Sequence, residues 1–412
     1  MYVAVMGYGT VGSGVVEVLK KNHDSIVKKS MQKELELKYI LDLRDFPGDP
    51  NEDKFTKDFN VILNDPEVKV VVETMGGINP AFQFVSSCLK AGKSVVTSNK
   101  ELVATKGYEL LCLAEENNVN FLFEASVGGG IPIIRPITQC LAANEIDEIA
   151  GILNGTTNFI LTMMIEQNMS FETALKLAQD NGYAEKDPTA DVEGHDACRK
   201  ICILASLCFG KHVYPDSVHT EGITKITLED VEYVGNFGGV IKLLGRAKRE
   251  PDEKISAIVS PCVVMNHSQL ASVSDVFNAI LVRGDAIGDV VFYGKGAGKL
   301  PTASAVVADV IDCAKHVDRK KSFGWGKSEE NYVIDYKNLV TSLYVRAEVT
   351  DKAEALKAIN SEFGEVKLLS RKNSPETELA FITDSAPEKE LTKKLDNLSG
   401  VKPLSVIRVT DY

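Results

Sequence analysis

The stretch GYAEKDPTADVEGHDACRK, Gly182 to Lys200, gathers five carboxylates and closes on a lysine. The acids are Glu185, Asp187, Asp191, Glu193 and Asp196, and the apolar run ICILASLCF follows at once. Carboxylates this close repel one another unless water, a cation or a cationic ligand relieves them. Because the stretch runs straight into what reads as a buried helix, part of it belongs at the wall of a cleft. That suits a site for a cationic group, such as a substrate ammonium, with a lysine alongside. If a helix starts near Val192 or Gly194, Asp196 and Lys200 fall four residues apart on one face. Exposed, such a pair contributes only about 0.3–0.5 kcal/mol. In a cleft, burial and the carboxylate pull the lysine in opposite directions, and a lysine in that balance can donate a proton. A plain surface pair is the competing reading.

The elements that would hold such a site begin at the N-terminus. Tyr2 to Met6 reads as a buried strand, followed by Gly7-Tyr8-Gly9-Thr10-Val11-Gly12 and then a helical pattern. Strand first and helix after, this is a dinucleotide fingerprint. Gly7 makes the tight turn, Gly9 lets the backbone approach a pyrophosphate and Gly12 packs helix on strand, with phosphates drawn to the helix N-terminus. A second strand, Leu37 to Leu41, ends at Asp42-Leu43-Arg44. An acid there favours NAD and an arginine favours NADP, so both remain open. Further strand–helix units follow through Glu124, which predicts a doubly wound parallel sheet. Lys100 stands just past the strand SVVTS, at the end where such sheets bind ligands; a solvated loop lysine is the alternative. FEASVGGGIPIIRPI is an irregular turn that could aim carbonyls at a monovalent cation, or serve as a plain hinge. ILNGTTNFIL carries a polar island whose Asn and Thr cap a helix or bond a ligand.

Composition narrows the classes. With 412 residues the chain should hold two or three domains, and a net charge of −12 argues against nucleic acid and anionic membrane as partners. No apolar run approaches the roughly 20 residues that span a bilayer, and the chain enters a strand at once, leaving no room for a signal peptide. The eight cysteines are scattered without metal-ligand pairs and are expected to be buried thiols in a reducing cytoplasm.

Taken in order, GYGTVGSG, ETMGG, VVTSNKELVA, FEASVGGGIP, ILNGTTNFIL, GYAEKDPTADVEGHDACRK and GKGAGKLPTASAVVADV resemble the homoserine dehydrogenases, from the first residue to about 320. The resemblance implies reduction of L-aspartate 4-semialdehyde to L-homoserine with NADP or NAD. It makes Lys200 the proton donor, with Lys100 near substrate and cofactor. Glu185 and Asp196 would take the substrate's amino group, and Asp191 would be a further active-site acid. Gly182 and Gly298 would line the site. Glu124, Val127, Gly129 and Ile131 would bind sodium or potassium, mostly through backbone carbonyls. Asp187 and Glu193 then drop to solvated charges. His195 departs from the family's apolar residue and is expected to face solvent.

The implied fold class is α/β. A Rossmann domain over 1–130 is completed by roughly 295–320, an α+β catalytic and dimerisation domain spans 131–294, and a linker 321–337 precedes 338–412. That last segment reads strand, helix, strand, strand, helix, strand, a ferredoxin-like unit. It resembles an ACT regulatory module, which implies an amino-acid effector such as threonine. Where such modules turn on proline and glycine, this chain has Thr350-Asp351-Lys352-Ala353. A dimerisation or stability module is the alternative. A small amino-acid substrate and a homodimer or homotetramer complete the expectation. The competing classes are a nucleotide sensor without catalysis and a different amino-acid dehydrogenase. An acylating aldehyde dehydrogenase is disfavoured, because no cysteine has a polar, activating setting.

Overall fold

The computed structural model describes residues 1–317, 319–410 and 412; Asp318, at the head of the polar linker, and Asp411, in the C-terminal unit, lie outside the described residues. Six strands build the first sheet: β1 (Tyr2–Met6), β2 (Glu36–Leu41), β3 (Phe55–Thr56), β4 (Val68–Glu73), β5 (Ser94–Thr97) and β6 (Phe121–Leu122). Their order, β3-β2-β1-β4-β5-β6, with every pairing parallel, is the doubly wound arrangement expected. Val3, Val5, Val70, Val71 and Val72 are fully buried, as strands covered on both faces must be. The last strand is shorter than the sequence suggested. Only Phe121–Leu122 pairs, and Glu124–Ser126 is already a helical turn.

The second sheet starts with β7 (Ile146–Ile152), β8 (His219–Thr220), β9 (Gly239–Arg249), β10 (Ile255–Met265), β11 (Phe277–Gly284) and β12 (Gly288–Lys295). Helix His195–Phe209 packs on β7, β9 and β10. Helix Lys299–Lys315 then returns to the first sheet and crosses helix Thr10–Lys21. The crossing is close because Gly14 offers no side chain: a Cβ there would lie 2.8 Å from the Lys299 carbonyl oxygen.

The C-terminal unit comprises β13 (Val340–Val349), β14 (Lys367–Leu369), β15 (Glu378–Ile382), β16 (Ala386–Pro387) and β17 (Val401–Val409), with helices Lys352–Phe363 and Glu388–Asp396. Its order β17-β13-β15-β14 is that of a ferredoxin-like βαββαβ unit. It does not hang from a free linker. β17 pairs in parallel with β10, so the two sheets are one eleven-stranded sheet. A buried ionic cluster also ties β13 and β15 to helix Leu228–Phe237. Arg346 donates to Asp230 (2.8 Å), Glu378 (3.1 Å) and Thr227 (3.1 Å), Tyr344 donates to Asp230 (3.0 Å), and Arg371 donates to Glu378 (2.9 Å). The connecting segment is anchored by the one tryptophan. Trp325 is buried, donates to His212 (3.0 Å), and fits where Gly107 leaves room.

The cysteine expectation needs correction. Cys140 is exposed and Cys112 and Cys208 are partly so; only five are buried, and all eight are free. Cys140 ends the helical turn Pro136–Cys140 and lies at the surface. Among the described residues no helix is long and apolar enough to cross a membrane.

Candidate active site

Gly194, in the left-handed region (φ +82°), starts helix His195–Phe209, within the range expected. One turn in, Asp196 and Lys200 share a face, and both are buried, at 2% and 8% exposure, so they are not a surface pair. The Lys200 ammonium donates to Asp196 Oδ2 and to the Leu153 carbonyl, both at 2.7 Å. An ammonium has three protons, so one is left over. Burial lowers the Lys200 pKa, with Lys100 adding to the effect and Asp196 opposing it.

Lys100 comes from the other domain. Asn99, at the end of β5, accepts from Leu102 N (3.0 Å) and caps helix Lys100–Glu116, which puts Lys100 at its first position. From there the Lys100 ammonium forms an ion pair with Asp196 Oδ1. Burial opposes its charge, but Asp196 outweighs that and holds the Lys100 pKa above the ordinary value. Asp196 is itself driven up by burial and more strongly down by Lys200 and Lys100, so it stays ionised. The two lysines therefore straddle one carboxylate at the seam between cofactor sheet and catalytic sheet.

Asn154, at the end of β7, completes the cluster; the sequence offered it as a helix cap or a ligand contact, not as a partner of these acids. Its Oδ1 does cap helix Gly155–Gln167, accepting from Thr157 N (2.8 Å). Its Nδ2 donates to Asp191 Oδ1 (2.7 Å) and to Asp196 Oδ2 (2.8 Å). One amide thus holds two like charges at a fixed separation. The Asp191 pKa is raised by burial first and by Asp196 second. The Asp191 carboxylate accepts no other hydrogen bond from the described residues.

The remaining candidates divide. Gly182 (φ +74°) follows helix Phe171–Asp180, and the loop after it is tied to the site's scaffold, since Thr156 donates to the Tyr183 carbonyl (2.7 Å). Glu185, next in that loop, is exposed and its carboxylate has no ion pair among the described residues. The structure thus does not bring Glu185 into contact with the buried cluster. Among the described residues the Asp187 carboxylate bonds only Thr189 and the Glu193 carboxylate only Thr224, which fits their demotion. His195 is exposed, as expected.

The glycine turn fits a dinucleotide. Gly7 is left-handed (φ +94°), and a Cβ on Gly12 would sit 1.9 Å from the Gly7 carbonyl oxygen, so the helix lies directly on the turn. Gly9 has open space where its Cβ would be, and the first amides at Thr10, Val11 and Gly12 have no partner within their helix. At the end of β2, Arg44 clasps Asp42 through Nε (2.9 Å) and Nη2 (2.8 Å), while Tyr8 N donates to Asp42 Oδ2 (2.8 Å). Gly298 (φ +125°) caps helix Lys299–Lys315. A residue overlooked from sequence is Glu73 at the end of β4. Buried, with its pKa raised by that burial, it accepts from Met75 N (2.7 Å), Gly76 N (3.2 Å) and Thr97 (2.6 Å) and shapes the ETMGG turn.

Around the expected cation segment, Glu124 spends its carboxylate on backbone. Oε1 accepts from Ile133 N (2.6 Å) and Ile134 N (2.7 Å), and Oε2 from Arg135 N (3.0 Å). The carbonyls of Val127, Gly129 and Ile131 accept no hydrogen bond from the described residues. Gly129 is left-handed (φ +57°) and packs against Gly296, where a Cβ would come within 2.2 Å of a carbonyl oxygen.

A fingerprint turn on a parallel sheet, facing a buried lysine–carboxylate cluster on a second sheet, defines a nicotinamide-dependent oxidoreductase. Family models described as "Homoserine dehydrogenase, NAD binding domain" and "Homoserine dehydrogenase" match residues 7–124 and 132–311. The homoserine dehydrogenase of Bacillus subtilis is 37% identical over 99% of this chain and 97% of its own length. That of Synechocystis is 44% identical over 75% of this chain and 72% of its own. Among solved structures, a homoserine dehydrogenase from Thiobacillus denitrificans superposes with a TM-score of 0.91 at 33% identity, covering 100% of this chain and 98% of that one. A hyperthermophilic archaeal homoserine dehydrogenase in complex with NADPH superposes with a TM-score of 0.63 at 26% identity, over 76% and 97%. The chain belongs to the homoserine dehydrogenase family, and its activity is the NAD(P)-dependent interconversion of L-aspartate 4-semialdehyde and L-homoserine.

Proposed function

We propose that Lys200 is the proton donor of this reaction. The observation that carries the reading is its spare proton: two of three are committed to Leu153 and Asp196, and burial depresses the pKa. A dihydronicotinamide held at the glycine turn would supply the hydride that the aldehyde carbon accepts. Lys200 gives its proton to the carbonyl oxygen, which becomes the hydroxyl of homoserine, and is left as a neutral amine that solvent reprotonates. In the oxidative direction the neutral amine takes the proton back.

Asp196, already paired with both lysines and Asn154, serves as the post that aims them. The substrate ammonium then falls to Asp191, whose Oδ2 is uncommitted, with Glu185 reaching in from its exposed loop. Lys100 faces the cofactor side and supports the developing charge. This moves the ammonium from the Asp196 expected from sequence to its neighbour. Lys200→Ala and Lys100→Ala, assayed on L-homoserine with NADP and NAD, test the division. Lys200→Ala should lower kcat by about 10²–10⁴, and Lys100→Ala by less. If the order were reversed, Lys100 would be the donor.

For the coenzyme, Gly7, Gly9, Thr10, Val11, Gly12 and Gly298 would hold the pyrophosphate end. The Asp42–Arg44 pair offers a ribose acceptor and a phosphate donor at one place, so either coenzyme is accommodated. For the cation, the carbonyls of Val127, Gly129 and Ile131, with Glu124 contributing its carbonyl, would coordinate sodium or potassium; their lack of other donors supports this. For regulation, the C-terminal unit would receive an amino-acid effector such as threonine, which its continuity with the catalytic sheet supports. A homodimer or homotetramer is the expected assembly.

A further inference from the structure

The ends of β4 and β5 are joined by a closed ring of hydrogen bonds that runs through Glu73. Glu73 and Thr97 are fully buried, and Asn99 nearly so. Glu73 Oε1 accepts from Met75 N (2.7 Å) and Gly76 N (3.2 Å), and Oε2 accepts from the Thr97 hydroxyl (2.6 Å). The Thr97 oxygen in turn accepts from Asn99 N (2.9 Å). Asn99 Nδ2 donates to the Gly77 carbonyl (2.6 Å), back on the turn where the ring began. Burial raises the Glu73 pKa, while Thr97, the two turn amides and Asn99 favour its anion. No ion pair relieves it among the described residues. A carboxylate buried in this way is costly to keep, so its place calls for something a neutral side chain does not supply.

The ring looks two ways. On the cofactor side, Thr74 follows Glu73 directly. Its hydroxyl donates to the Gly7 carbonyl (2.9 Å) and its amide to the Met6 carbonyl (2.9 Å). A Cβ on Gly7 would lie 2.9 Å from the Thr74 carbonyl oxygen, so the fingerprint turn is seated on the residue after Glu73. On the catalytic side, Asn99 Oδ1 accepts from Leu102 N (3.0 Å) and caps helix Lys100–Glu116. Lys100 is the first residue of that helix, and its ammonium pairs with Asp196 on the second sheet.

The protons in the ring run one way. The Asn99 amide points to the Thr97 oxygen, and the Thr97 hydroxyl points to Glu73. Only an acceptor at the Glu73 end gives every proton a place. A glutamine there would keep Met75 and Gly76 on its carbonyl oxygen. Its NH2 would then meet the Thr97 hydroxyl as a donor, and the hydroxyl proton would lose its acceptor. The carboxylate is therefore what links the two turns.

We propose that Glu73 is a positioning residue of the reaction: through Thr97 and Asn99 its carboxylate fixes Lys100 relative to the dinucleotide turn. The inference rests on the reading that Lys100 supports the developing charge, and it names what aims that lysine.

The test is a set of double-mutant cycles on the full chain, read as kcat for homoserine oxidation. Glu73→Gln and Thr97→Val should each lower kcat about tenfold or more, because a charged group held slightly out of place loses much of its effect. Thr97→Ser, which is smaller but keeps the hydroxyl, should recover most of that loss, whereas a packing role would favour valine. In Lys100→Ala, neither Glu73→Gln nor Thr97→Val should lower kcat further, since the group they aim is gone. Losses that multiply in the Lys100→Ala background overturn the proposal and leave the Lys100 reading standing. So does Thr97→Ser as damaging as Thr97→Val, or a kcat within about twofold of the intact chain in either Glu73→Gln or Thr97→Val. If Lys100→Ala itself keeps the intact kcat, both readings fall. Thr97→Val, which keeps the residue's shape, carries the test alone should Glu73→Gln fail to fold.

Discussion

Two buried clusters in this chain hold the same charges and use them differently. At the seam of the two sheets sit two acids and two cations: Asp191, Asp196, Lys100 and Lys200. Where the C-terminal unit meets helix Leu228–Phe237 sit two more of each: Asp230, Glu378, Arg346 and Arg371. In the second cluster both acids are saturated. Asp230 accepts from Arg346, Tyr344 and Thr227, and Glu378 from Arg346, Arg371 and Tyr233. Planar guanidinium forks suit such closed pairing. In the first cluster the cations are lysines, and among the described residues one proton of Lys200 is unspent and the Asp191 carboxylate has a single hydrogen-bond partner. Closed charge fixes how two units dock; charge left partly open is available to a substrate.

If that contrast holds, the two clusters should fail in different measurements. Asp196→Asn should have the largest effect. It leaves two lysines facing each other without a counter-charge, and kcat should fall by about 10² or more while the fold survives. A kcat within about threefold of the intact protein would remove Asp196 from its central place. Arg346→Ala should do the opposite, leaving Asp230 and Glu378 buried and short of a partner. Denaturant unfolding should show a loss of about 3–5 kcal/mol, with kcat of the folded protein retained. A loss under about 1 kcal/mol would make this cluster no stronger than a surface pair.

Asn154→Ala lies between. It removes a helix cap, costing about 1 kcal/mol, and frees Asp191 and Asp196 to repel. The KM for homoserine should rise more than kcat falls, and Asn154→Ser, which keeps a cap, should restore stability without restoring KM. Equal recovery of both would make Asn154 only a cap. The smallest effect concerns the anchored linker. Burial lowers the His212 pKa from 6.5 to about 4, with the Trp325 indole donating to the ring. A depressed histidine contributes stability above its unfolded pKa, and that stability drains away as pH falls from about 6.5 toward 4. Fluorescence of the one tryptophan should report the loosening over that window, and His212→Gln should flatten it.

The sequence carried the local parts of this site well. The Gly7–Gly12 turn was legible because each glycine answers a backbone demand, which the left-handed Gly7 and the Gly12–Gly7 contact show. Asp196 and Lys200 were legible as partners because four residues is one helical turn. The long-range parts were not. Asn154 lies far from Asp191 and Asp196 in sequence, and nothing in NGTTN says that its amide points at them. β7 and β11 lack the alternation of half-buried strands, since both faces are covered. The join of β17 to β10 depends on tertiary packing alone. Asp196 has two lysines on it, which no spacing rule reveals and which is why the ammonium is proposed to go to Asp191 instead.

The central claim is that Lys200 delivers the proton, and the pH dependence of kcat in both directions tests it most directly. With a depressed pKa, the neutral amine needed for homoserine oxidation grows in as pH rises, while the ammonium needed for aldehyde reduction is lost over the same range. The oxidative rate should climb and the reductive rate should fall about one shared pKa below the ordinary lysine value. Both limbs should vanish in Lys200→Ala, with kcat lower by about 10²–10⁴. The same limbs persisting in Lys200→Ala at near-normal kcat would contradict it.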